Sequence, residues 1–211
     1  MSEAETRENS TTELSESSPT RKRPKPGERR IQILQTLASM LEQPGAERVT
    51  TAALAAKLDV SEAALYRHFA SKAQMFEGLI EFIETSVFSL VNQIAEREAN
   101  PTARLGKTMA MILQFGEKNP GMCRVMTGDA LVYEHVRLQE RMNQLFDKLE
   151  SSFKQNLRES LATHATPTVA AQSQASVLAA FCMGRLQRYA RSGFKRSPTE
   201  HLEMSIAQLL D

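Results

Sequence analysis

Tyr66, Arg67 and His68 stand side by side at the end of the stretch SEAALYRHF, residues 61 to 69. Consecutive helical positions are about 100° apart, so a phenol, a guanidinium and an imidazole in a row cannot all face a core. All three can donate hydrogen bonds, and the guanidinium is always charged. Such a set suits an anionic partner. The other residues with catalytic potential do not assemble. His68, His135, His164 and His201 show no ligand spacing with Cys123 and Cys182. There is no glycine-rich phosphate loop and no Gly-x-Ser-x-Gly elbow. The adjacent pairs Glu134/His135 and Glu200/His201 read as surface residues. The sequence therefore predicts no enzyme, no cofactor and no metal site. Its two cysteines are expected to be buried thiols, not a disulfide.

The elements that would hold the Tyr-Arg-His cluster are legible around it. Residues 50–69, TTAALAAKLDVSEAALYRHF, have the spacing of two short helices joined by a tight turn, a helix-turn-helix. Leu54 and Leu58 face inward from the first helix, Val60 fills the turn, and Leu65 and Phe69 face inward from the second. Ala55 and Ala56 are small enough to let the helices cross closely. What remains outside is Ala63, Ala64, Tyr66, Arg67 and His68, with Ser61 at the cap. Short alanines let a helix approach a groove floor and touch a thymine methyl. Tyr66 and His68 reach phosphates from the flank, and Arg67 can serve either bases or phosphates. Thr50 and Thr51, with the free N–H groups of their helix start, form a second phosphate site, and Lys72 a third. The second helix lacks a long Asn, Gln or Arg at its N-terminal end. Specificity should then lean on close approach, methyl contacts and DNA shape.

The remainder of the 211-residue chain is consistent with one helical protein. Leu, Ala, Met, Gln and Glu outweigh Val, Ile and aromatics, and no Trp is present. The net charge is only +1, but its distribution is uneven. Glu3, Glu5, Glu8, Glu13 and Glu16 precede a basic arm of Arg21, Lys22, Arg23, Lys25, Arg29 and Arg30. Residues 1–26 are expected to be a disordered tail, and the basic arm to lie along DNA. The chain shows no secretory leader and no apolar run long enough for a bilayer, so a cytoplasmic location is expected. Periodicity and caps predict about nine helices and no strand. The first starts near Gly27 with an apolar stripe of Ile31, Leu34, Leu37, Ala38 and Leu41, stopped by Pro44-Gly45. Later ones start at Ser71, at Asn100-Pro101 and around residue 121. One long helix is expected over 129–162, another from Thr166-Pro167 to about Arg191. The last is expected from the Ser197-Pro198-x-Glu200 capping box.

The stretch TTAALAAKLDVSEAALYRHFASKAQMFEGLIEFIE resembles the DNA-binding region of TetR-family regulators. The blocks FGEKNPG, RVMTGDAL and RLQERMNQLF extend the resemblance over about residues 28–205, toward that family's nucleoid occlusion branch. The resemblance implies an all-α, TetR-like fold. Its parts would be a tail over 1–26, a helix-turn-helix domain over 27–87, and a C-terminal helical domain over 88–211 for dimerisation and partner binding. It also implies a nucleoid-associated homodimer on palindromic chromosomal sites, with one or more dimers per site, that inhibits assembly of the division protein FtsZ. By the same analogy Tyr66, His68, Thr51 and Lys72 hold phosphates. The FtsZ surface involves Phe82, Leu90, Met111, Gln114, Lys118 and Asn119. The chain departs from the family pattern at Asp59, where a glycine is usual, at Ala70, where proline is common, and at Leu90, where a basic residue is expected. Dimer candidates are Ala171, Ala175, Leu178, Phe181, Ile206 and Leu209, because small residues permit close helix packing and a two-fold matches a palindrome. The alternative is a ligand-responsive TetR-type repressor whose pocket is lined by Met109, Met111, Phe115, Phe181, Cys182 and Met183.

Overall fold

The computed structural model describes residues 27–43, 48–160 and 167–210. The acidic tail, the basic residues Arg21, Lys22, Arg23 and Lys25, the Pro44-Gly45 stop and His164 lie outside them. Among the described residues there are helices only. These are α1 (Glu28–Leu41), α2 (Thr51–Lys57), α3 (Glu62–Tyr66), α4 (Lys72–Arg97), α5 (Pro101–Lys118), α6 (Pro120–Met126), α7 (Val136–Ser160), α8 (Pro167–Arg191) and α9 (Leu202–Leu210). A single 3-10 turn, Asp129–Leu131, joins α6 to α7.

α1 packs on α2, α4 and α6 and buries Ile33, Leu37, Ala38 and Leu41. The expected stripe was set off by Ile31, which is exposed; the inward face is centred on 33, 37 and 41. α4 runs from this small domain into the larger one without a break. It buries Met75, Phe76, Leu79, Ile80, Ile83, Val87 and Val91. A boundary between residues 87 and 88 therefore falls inside a continuous helix.

Two helix boundaries differ from expectation, both for tertiary reasons. The predicted helix over 129–162 begins only at Val136. Gly128 turns left-handed (φ 82°), Ala130 and Leu131 are buried, and Glu134 is drawn away to an ion pair with Lys72 on α4. The last helix begins at Leu202, not at Pro198. Ser197 gives its hydroxyl to the Glu117 carboxylate on α5, and Thr199 does the same at 2.7 Å. The turn ends with His201 at φ 51°. A long-range carboxylate thus took the residues that would have capped a helix.

The two parts of the molecule meet closely. A Cβ on Gly121 of α6 would lie 2.0 Å from the Ala38 carbonyl oxygen of α1, so only glycine fits this crossing. Ion pairs seal α4 against α7: Arg137 to Glu77 at 2.8 Å and Arg141 to Glu84 at 2.7 Å. In the larger domain α8 lies along α7, with Ala171, Ala175 and Leu178 of α8 and Leu145, Leu149 and Phe153 of α7 all buried. Cys123 and Cys182 are buried free thiols, as expected, and burial pushes both up to about 12.

Candidate nucleic-acid interface

Each element of the α2–α3 unit is fixed by its own local chemistry. Thr50 caps α2, its hydroxyl oxygen accepting from the Ala53 N–H at 3.1 Å. α2 ends on Asp59 in the left-handed region, φ 53°. There the Asp59 N–H donates to Ala56 O at 3.1 Å and the Val60 N–H to Ala55 O at 3.0 Å. This pair of bonds is the Schellman ending that glycine usually serves, and Asp tolerates the conformation better than most residues. Ser61 then caps α3 by accepting from the Ala64 N–H at 3.3 Å. Ser71 caps α4 from Gln74 N at 3.2 Å, while Gln74 Oε1 reaches back to the Ala70 N–H at 2.8 Å. The capping box is thus made, shifted back by one residue.

Inward residues behave as their spacing predicts, with one exception. Leu54, Ala55, Leu65 and Phe69 are buried, and Leu58 and Val60 pack against them. Ala56 is exposed, so only Ala55 lies in the helix crossing.

The outer face carries Ser61, Ala63, Tyr66 and Arg67 exposed, with Ala64 and His68 half-buried. Thr50 is exposed and Thr51 half-buried at the neighbouring helix start. This is a polar, donor-rich surface beside two small side chains, and it can lie against a phosphate backbone with α3 directed at a groove. Three of the predicted contacts have other partners in the free protein. Arg30 places its guanidinium 4.1 Å from the Phe69 ring centroid and donates to the His68 carbonyl, so it braces the end of α3 against α1. Lys72 pairs with Glu134 and lies near the Phe76 ring, with its side chain only 25% exposed. The Thr51 hydroxyl donates to the Glu62 carboxylate at 2.6 Å. Glu62, first residue of α3, is exposed and was not among the sequence candidates. Spacing alone did not single it out; it is uncovered because it opens α3 directly after the Ser61 cap, and its partner Thr51 lies on the preceding helix. Arg29, half-buried in the first turn of α1, is the other described residue of the basic arm.

The second surface is carried by α4 and α5. Phe82 is 52% exposed, Leu90 36%, Gln114 and Lys118 are exposed, and Met111 and Asn119 are half-buried. Asn119 ends α5, donating from its side chain to Phe115 O at 2.8 Å. The dimer candidates divide. Ala171, Ala175 and Leu178 are filled by their own chain and cannot face a second copy. Small side chains there serve the close approach of α8 to α7. Ile206 and Leu209 are half-buried, Ile206 against Gly106 of α5, and Phe181 is half-buried beneath the Arg185 guanidinium. The six residues suggested for a ligand pocket differ in burial, Met111, Phe115 and Phe181 being half-buried. Met109 and Cys182 are fully buried in the core, while Met183 is 39% exposed.

Comparison with known proteins decides the family. Residues 33–79 match the family of bacterial regulatory proteins of the tetR type, and residues 100–211 match the tetracyclin repressor-like C-terminal domain of the SlmA-like group. The chain is 50% identical over 174 residues to "Nucleoid occlusion factor SlmA" of Idiomarina loihiensis, covering 82% of this chain and 89% of that protein. It is 50% identical over 177 residues to the protein of the same name in Marinomonas sp., covering 83% and 90%. The chain belongs to the SlmA family. It is a DNA-binding regulator of the TetR class. A TetR-family regulator from Bordetella parapertussis shares the fold at a TM-score of 0.69 with 18% identity, covering 88% of this chain and 95% of that one. SlmA-family membership is consistent with a site built for binding. No helix among the described residues is long and apolar enough to cross a membrane.

Proposed function

We propose that this protein is a nucleoid occlusion factor that binds palindromic chromosomal sites as a homodimer and, on DNA, restrains FtsZ assembly over the nucleoid. The observation that carries the reading is half identity over four-fifths of the chain to relatives of that name. Residues 27–87 act as the DNA-binding unit. Thr50, Thr51, Tyr66, His68 and Lys72 hold phosphates, Ser61, Ala63 and Ala64 approach the groove floor, and Arg67 serves either bases or phosphates. Arg29, Arg30 and the basic residues before them lie along the backbone. Residues 88–211 supply the dimer, and helices α4 and α5 the FtsZ surface at Phe82, Leu90, Met111, Gln114, Lys118 and Asn119.

Dimerisation is supported by α8. Its outward residues Ser173, Ser176, Val177, Ala180 and Gly184 form a small-residue stripe. A Cβ on Gly184 would meet nothing within 4 Å beyond its own helix backbone and chain neighbours, so this face of α8 is open there. Phe181, Ile206 and Leu209 border that surface.

The test is FtsZ polymerisation followed by light scattering with the full-length protein, with and without a bound duplex. Inhibition that depends on the duplex is expected. Equal FtsZ assembly in all arms would overturn the FtsZ role while leaving DNA binding to be scored separately by gel shift.

A further inference from the structure

Glu62 presents a chemical conflict at the heart of the DNA-binding face. A threonine hydroxyl has one proton to donate. Thr51 donates it to Glu62 Oε2 at 2.6 Å, the length of a charge-assisted bond. A phosphate oxygen only accepts. In this arrangement Thr51 cannot bond to phosphate, and the carboxylate beside it repels one. The two residues begin the two helices of the motif, α2 and α3. Glu62 is exposed, and the next two residues are Ala63 and Ala64. It is therefore the one long exposed side chain in the first turn of α3, Leu65 being buried, and that turn is where a recognition helix meets base edges.

We propose that the Thr51–Glu62 hydrogen bond is a clasp that DNA must open, and that the released Glu62 carboxylate reads an exocyclic amino group in the major groove. This rests on the DNA-binding reading of α2 and α3. Glu62 offers acceptors only. It matches the amino group of cytosine or adenine and opposes the O6 and N7 of guanine and the O4 of thymine. On a correct site one internal hydrogen bond is exchanged for two: Thr51 to phosphate, Glu62 to the amino group. On a wrong site the carboxylate either stays on Thr51, denying the phosphate its donor, or faces acceptors. Specificity then comes from a penalty on wrong sequences as much as from a gain on the right one.

The experiment uses the full-length protein. Duplexes are selected from a randomised library, and affinities are measured for the selected duplex, its single-base-pair variants and a random-sequence duplex. Wild type should require cytosine or adenine at one symmetric pair of positions. Glu62→Ala should lower discrimination there by roughly tenfold while binding random DNA several-fold more tightly. Thr51→Val should weaken random-DNA binding more in the Glu62→Ala background, where the hydroxyl is free for phosphate, than in the presence of Glu62. A Glu62→Ala protein whose affinities all shift by one common factor, with base preferences intact, overturns the clasp and leaves DNA binding standing. A wild type with no base preference at all overturns both.

Discussion

The α2–α3 unit and the α7–α8 pair both join two helices by small residues and a leucine ridge, yet they depend on different physics. α7 and α8 have 25 residues each and bury a long seam, so no single contact decides their packing. α2 and α3 have seven and five residues, well below the length at which a helix is stable alone. They stand because each end is tied: Thr50 and Ser61 at the starts, Asp59 in the turn, and Leu54, Leu65 and Phe69 as anchors. The long pair therefore directs its conformational constraints inward and leaves a small-residue stripe outside. The short pair uses nearly every residue, either to hold itself or to face outward. A protein can place a recognition surface on so slight a unit only by bracing it from behind, which Arg30 and Gly121 do here.

The sharpest way to break this comparison is to remove an anchor from each pair. Leu65→Ala, in a fully buried site, should cost about 2–5 kcal/mol. That loss should appear as early melting of the small domain, read by amide exchange in α1–α3. Leu149→Ala in α7 should cost a similar amount but lower one global transition. If Leu65→Ala melted only globally, the two domains would be a single cooperative unit. Gly121→Ala comes next. The added methyl meets the Ala38 backbone, so the α1–α6 contact must open, at about 1–3 kcal/mol by thermal denaturation. Unchanged stability would show that the junction yields freely. Tyr66→Ala with His68→Ala should leave the melting temperature close to wild type. DNA affinity should weaken by about tenfold, alike across sequences, as expected when phosphate contacts are lost. A change in site preference would instead assign one of them to a base. Smallest is Asp59→Gly, which removes the strain of φ 53° but adds chain entropy. The net change should stay within about 1 kcal/mol, whereas Asp59→Val should cost about 1–2 kcal/mol. Equal stability of the two variants would mean that the turn has relaxed out of the left-handed region.

The thiols offer an independent check on the larger domain. Burial holds both near 12, above the ordinary thiol value, so the buried form resists ionisation. Below the unfolded value of about 8.5 the thiols add nothing pH-dependent, and the stability they favour is lost as pH rises from there through 12. At pH 8 an alkylating reagent should label neither thiol until unfolding. Rapid labelling of the folded protein would show that the α5–α6–α8 core opens.

The helix-turn-helix was legible because its signals are local. Caps at Thr50, Ser61 and Ser71, inward Leu54, Leu65 and Phe69, and the Asp59 turn all lie within a few residues of what they control. Errors arose where a distant group intervened. Glu117 took Ser197 and Thr199 from a helix cap, and Lys72 took Glu134 from a helix interior. Ala171, Ala175 and Leu178 illustrate another limit. Small residues at helical spacing announce a close helix contact but not whose helix makes it. Glu62 was not singled out because its partner Thr51 lies 11 residues away on another helix, and local spacing does not show that contact.

By itself the sequence determined the helical class, most helix boundaries, the family, and the set of donors outside the second short helix. Those depend on periodicity, on capping and on side chains whose reach is a single turn. Only the tertiary structure decided which of those donors are already occupied. Arg30 is spent on Phe69 and the end of α3, Lys72 on Glu134, and Thr51 on Glu62. A partner 11, 38 or 62 residues away is chosen by how helices cross, and no local pattern encodes that crossing.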